Sequence, residues 1–191
     1  MGDKLAGISF EHGMRSLIAC ILIVLTLHVA AESKKPASDL YINVSLTRAE
    51  RSKDSHSRRT NITVSGDKIV YERVYQGYRR NKIAPVEKEF AIKDEDVRRL
   101  ENLVIEHNLL TPDSLELPST GGGLIYFEIL LDVRLGGKKS HIGISGPSKA
   151  AGIKDQRLYK DSRALLEEIF RIISAQDDEI SYENDLVIET P

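Results

Sequence analysis

Ser145 has the surroundings closest to a catalytic motif. It sits in Gly143-Ile144-Ser145-Gly146-Pro147, which resembles the sharp turn that exposes a hydrolase nucleophile. That turn joins a strand to a helix and ends on Gly. Here Pro147 takes the last position and a loop is expected to follow, so no esterase is predicted. Ser65-Gly66-Asp67-Lys68 has Ser-x-x-Lys spacing. The lactamase use of that pair needs Ser at the start of a helix, whereas Ser-Gly-Asp-Lys reads as a hairpin turn. Gly121-Gly122-Gly123 precedes a run of strand character and lacks the Lys-Ser/Thr of a phosphate-binding loop. No catalytic residue is named from the sequence.

Metal chemistry is equally poorly served. The histidines beyond the N-terminal region are His56, His107 and His141, and no two have metal-ligand spacing. His107 falls near the end of a predicted helix, where partial positive charge is favourable. His141 alternates with Ile142 and is expected on an exposed strand face. Glu128 and Asp132 share one face of a predicted strand, about 13 Å apart. That is too far for the carboxylate pair of a glycosidase. No metal and no cofactor are implied.

One patch has the chemistry of recognition. Tyr71, Arg73 and Tyr75 alternate along a strand, and Tyr78, Arg79 and Arg80 follow. Tyr and Arg bring large area and directional hydrogen bonds to binding surfaces. If the helices cover only the other side of the sheet, Tyr71, Arg73 and Tyr75 face water or a partner, while Phe127, Ile129 and Leu131 serve the core. The bland alternative is an outer face whose Tyr and Arg pack laterally.

These residues need elements to position them. Leu40, Ile42, Val44 and Leu46 alternate with Tyr41, Asn43 and Ser45, the period of a half-buried strand. Residues 48–60 are dominated by charge and read as a long, mobile basic hairpin loop. Ile62 and Val64 begin a second strand. Ile69 to Gln76 and Val86 to Ile92 give a third and a fourth. Asp94 is expected to cap a helix with Val97, Leu100 and Val104 on one stripe, ended by Asn108 in the left-handed conformation. Thr111 to Gly123 reads as loop. Leu124 to Leu135 and Lys138 to Ile144 form a hairpin through Gly136-Gly137. Ser162 is expected to cap a last helix with Leu165, Leu166, Ile169, Phe170 and Ile173 inward. The order ββββαββα predicts an α+β fold, an antiparallel sheet of about six strands with two helices packed on one face.

Composition fits this picture. The chain has 191 residues, is 29% charged and 41% hydrophobic, and carries a net charge of −2. One domain is expected, and a near-neutral chain lacks the basic surface that nucleic-acid binding needs. Ser16 to Ala31 is a mostly apolar run of sixteen residues. That is short for a spanning helix, which needs about 20, and suits a signal peptide. Small residues at Val29-Ala30-Ala31 place the cut before Glu32. Residues 1–31 are therefore expected to be the signal, with Met14 expected as the true start because Arg15 then leads the apolar run. Cys20, the single cysteine, lies inside the apolar core, so lipidation there is rejected and the mature chain has no thiol. Residues 32–175 are expected to form the domain. Residues 176–191 hold six acidic residues and no Lys or Arg, and read as a solvated acidic tail with a short strand at Leu186 to Ile188. Asn43 and Asn61 are glycosylation acceptors in a eukaryotic host; in a bacterium their sequons carry no such meaning.

Two stretches carry a family resemblance. The first runs from Ile62 to Tyr71 and continues in Phe90-Ala91-Ile92 and Asp96 to Leu100. The second runs from Gly121 to Glu128 and continues in Gly137 to Ile142. Together they resemble small uncharacterised exported bacterial domains. The helix, the polar loop and the late hairpin, over roughly Val86 to Ser174, also resemble emfourin, a proteinaceous inhibitor of thermolysin-like metalloproteases. The basic loop and acidic tail depart from it, and no inhibitory residue carries over. The signal, the single domain and the absence of a catalytic constellation lead to the expectation of a secreted or periplasmic, non-enzymatic binding module, and the emfourin resemblance implies that one form of it is a protease inhibitor. Its partner would be a protein or glycan of the cell envelope, with no nucleic acid and membrane contact only through an uncleaved signal segment. The alternative is an enzyme whose site is assembled from scattered residues. Clustered acids or His in a pocket would favour it.

Overall fold

A computed structural model of the chain describes residues 38–50, 56–77, 83–116, 125–147 and 156–182. The alternation that begins at Leu40 produces β1 (Tyr41–Glu50), the middle strand of the sheet. It is followed by β2 (His56–Ser65), β3 (Lys68–Gly77), β4 (Val86–Ala91), α1 (Asp94–Glu106), β5 (Asp113–Glu116), β6 (Ile125–Leu135), β7 (Lys138–Pro147) and α2 (Arg157–Ser174). All described residues belong to one compact unit that begins at Ser38. The signal segment, and Leu186 to Ile188, lie outside the described residues.

The fold is α+β, and the sheet is mixed, with seven strands in the order β4-β3-β2-β1-β6-β7-β5. Every neighbouring pair is antiparallel except β5 with β7, which is parallel. This corrects the expectation of an antiparallel sheet of about six strands. The extra strand lies inside the segment read as loop. Asp113 to Glu116 is four residues long and mostly polar, so it shows no alternation. Its direction follows from α1, which carries the chain from the β4 edge of the sheet to the opposite edge.

Register explains the core. Tyr71, Ile62, Val44, Leu131 and Ile142 stand in one row across five strands, and none of these side chains is exposed. Ile69, Val64, Ile42 and Val133 make the next row. Val97, Leu100 and Val104 of α1 and Leu165, Leu166, Ile169, Phe170 and Ile173 of α2 complete the same apolar cluster. One face of the sheet is thus sealed by two helices. Arg171 of α2 ties them at the surface, donating to Asp96 of α1 and to Glu168.

Four local expectations are corrected. The basic stretch 48–60 is largely strand: Arg48 pairs with Arg58 and Thr47 with Arg59. Backbone pairing extends a hairpin without apolar side chains, so the alternation fades before the strand does. Asp94 is the first residue of α1 rather than its cap. Lys93 holds the cap position without a side-chain bond, and Asp94, Glu95 and Asp96 set negative charge in the first turn. Ser162 is buried inside α2, which starts at Arg157, because Leu158 and Tyr159 already belong to its apolar side. The tail is not wholly solvated: Ile180 is 1% exposed. The turns are as expected. Gly136 and Gly137 have φ of 59° and 73°, and Asn108, just beyond α1, has φ 53°.

Candidate functional site

Tyr71, Arg73 and Tyr75 do share a strand face, but it is the helix-covered one. Tyr71 is fully buried beside Ile69 in the core, so the expectation that it meets water or a partner is corrected. Arg73 and Tyr75 lie farther along β3 and are half-buried. The Arg73 guanidinium sits 5.9 Å from the Tyr71 ring centroid. Tyr78, Arg79 and Arg80 lie outside the described residues. Phe127, Ile129 and Leu131 occupy the core as expected.

Among the described residues, no helix lies on the other sheet face. Odd-numbered residues of β1 and β2 and even-numbered residues of β6 point to it. Tyr41 and Arg134 are cross-strand partners, with the guanidinium 4.8 Å from the ring centroid. Asp132 and His141 are partners one row on, joined at 2.8 Å through His141 Nδ1. His141 is exposed, as expected. The Thr63 hydroxyl donates to Asn43 Oδ1 at 3.3 Å. Ser45, Leu130 and Gly143 form the next row, and a Cβ on Gly143 would lie 3.7 Å from Leu130. The result is a surface on which Tyr, Ser, Thr and Asn are interspersed with the charged Arg134, Asp132 and Glu128 and with His141, around Leu130.

A second arrangement lies where α1 ends. The left-handed turn at Asn108 brings His107 beside α2. His107 Nδ1 is 2.8 Å from Asp161 Oδ1, and Arg157 Nε donates to Asp161 Oδ2 at 3.2 Å. These residues, with Thr111 and Asp113, line a cavity of about 280 Å³. Asp161 holds the imidazole ring through Nδ1. Arg157 adds a cation and Asp113 a carboxylate. Sequence reasoning placed His107 only as a helix-end residue. Its partner is 54 residues away, so no local spacing could join them.

Among the described residues, no three His, Cys, Asp or Glu side chains are gathered as a metal ion would require. Among the same residues, no helix is long and apolar enough to cross a membrane. No protein-family model matches the chain, and no curated protein matches it.

Proposed function

We propose that this chain is an exported, non-enzymatic binding module that engages a protein partner through the open face of its sheet. The observation that supports this reading is the make-up and size of that face. Tyr41 and Tyr126 stand at its two ends, and Ser45, Thr47, Asn43, Asn61 and Thr63 lie between them, together with the charged Glu128, Asp132 and Arg134. Tyr among Ser and Asn is the composition of protein-binding paratopes, where rigid aromatic area is combined with adaptable hydrogen bonding. Five long strands, about 4.8 Å apart and about 33 Å long, present about 800 Å², the area each partner gives to a standard interface. Export rests on the apolar segment from Ser16 to Ala31.

The specific form of this reading is a proteinaceous protease inhibitor. The test is inhibition of a thermolysin-like metalloprotease by the purified protein, alongside Leu130→Arg and Ser45→Arg. Inhibition that both variants lose, with the circular dichroism spectrum unchanged, is the expected result. Inhibition that survives both variants moves the site off this face. No inhibition, with binding of envelope glycans that the variants lose, replaces the protein partner with a glycan.

The cavity at His107 favours the enzymatic alternative, because it gathers an imidazole and carboxylates. Turnover of any substrate that His107→Gln removes, on a folded variant, would support that alternative.

A further inference from the structure

The cavity at the end of α1 has walls of both charges, and this narrows what can occupy it. Arg157 stands at its rim, with its side chain 80% exposed. Its Nε is committed to Asp161, which holds the guanidinium plane and leaves the two Nη groups at its outer edge. Asp113 uses Oδ1 to accept the backbone N–H of Ser114 at 2.8 Å, and Oδ2 remains. A simple anion would meet Arg157 but also two carboxylates. A simple cation would meet Asp113 but also the guanidinium. A molecule that carries an anion and a cation together satisfies both walls.

Size narrows it further. About 280 Å³ is the room of about nine water molecules at roughly 30 Å³ each. A molecule about the size of a free amino acid fits inside it, and anything much larger would extend out of the opening. Leu158 supplies a short apolar wall, and the imidazole of His107, held by Asp161, supplies a hydrogen bond from a fixed direction.

We propose that this cavity binds a free α-amino acid, with its carboxylate on Arg157, its ammonium on Asp113 and its small side chain toward Leu158. Asp161 is a positioning residue that holds both His107 and Arg157. The proposal is independent of the open sheet face, so either can fail without the other. A site this open binds weakly, with a Kd of about 1 mM.

The experiment is NMR titration of the purified protein with L-alanine, propionate and ethylamine, following the backbone amides of His107, Asp113 and Leu158. L-alanine is expected to shift these amides and saturate. Propionate and ethylamine, each lacking one charged end, are expected to bind at least about tenfold more weakly. Arg157→Gln and Asp113→Asn should each weaken L-alanine by a similar factor. Asp113 lies on an exposed edge strand, so its variant keeps the fold and decides the matter if Arg157→Gln does not. The proposal is overturned if L-alanine causes no saturable shift. Propionate or ethylamine binding as tightly as L-alanine overturns it too, because the site is then one for a simple ion. Asp113→Asn that binds L-alanine unchanged has the same consequence.

Discussion

His107 Nδ1 and Asp161 Oδ1 lie 2.8 Å apart, and this contact fastens the end of α1 to the second turn of α2. Asp161 also accepts from Arg157, and its side chain is only 17% exposed. Removing it strands a half-buried imidazole and frees the rim arginine. Asp161→Ala is expected to lower stability by about 1–3 kcal/mol, measured by urea denaturation. A double-mutant cycle with His107→Ala should give a coupling of at least about 0.5 kcal/mol. Additive losses would show that the two side chains are neighbours without being partners.

The helical stripe is a sharper case, because one helix supplies both test and control. Leu100 is fully buried and Ile105, five residues on, is 63% exposed. Leu100→Ala is expected to cost about 2–5 kcal/mol through lost burial and the cavity left behind. Ile105→Ala should change stability by less than about 0.5 kcal/mol. Equal losses at the two positions would mean that α1 is rotated relative to the sheet.

Where alternation is uninterrupted, the fold was legible. Leu40 to Leu46 and Phe127 to Val133 declare their inward faces, and the hairpin glycines declare their turns. Tyr71 shows where chemical character misled. Its character groups it with Arg73 and Tyr75 as a polar aromatic, yet Ile69 has the same parity, and Ile62 faces it in register. Parity with Ile69 was the available signal. β5 was illegible for a different reason: four mostly polar residues become a strand only because the edge of β7 is there to pair with. The cavity was illegible because its two halves meet only after α1 and α2 pack. Tyr71→Ser should therefore destabilise the domain by about 3–5 kcal/mol, as truncating a large core aromatic does. A folded variant with unchanged urea midpoint would return Tyr71 to the surface.

Acid should loosen the segment that follows α2. The Lys88 ammonium donates to Asp177, and the Glu179 N–H also donates to it at 3.2 Å. Both favour the ionised carboxylate, and they hold the Asp177 carboxyl below its ordinary range. A carboxyl depressed on folding stabilises above its unfolded pKa, about 3.9, and loses that contribution as pH falls through the folded value. The stability difference between the parent and Asp177→Asn should be full at pH 6 and shrink below about pH 4. Urea midpoints taken across this range measure it. A difference that grows toward low pH would contradict the assigned pairing.

The same segment ends in a contact that alkali should test. After Asp177 the chain returns to α2, burying Ile180 and setting the Tyr182 ring edge-on to Phe170 at 5.8 Å. Arg163 lies 5.7 Å from the Tyr182 ring centroid. Burial, reinforced by the neighbouring Tyr159, pushes the Tyr182 phenol well above its usual value. A phenol raised on folding stabilises fully below its unfolded pKa, about 10, and loses that contribution as pH rises toward the folded one. The parent should therefore lose stability between about pH 10 and pH 12, while Tyr182→Phe loses less. Ile180→Asp places a charge in the same apolar seat and should cost about 3 kcal/mol or more at neutral pH. If Ile180→Asp leaves the urea midpoint in place and the two proteins decline equally in alkali, residues 177–182 are not seated on α2.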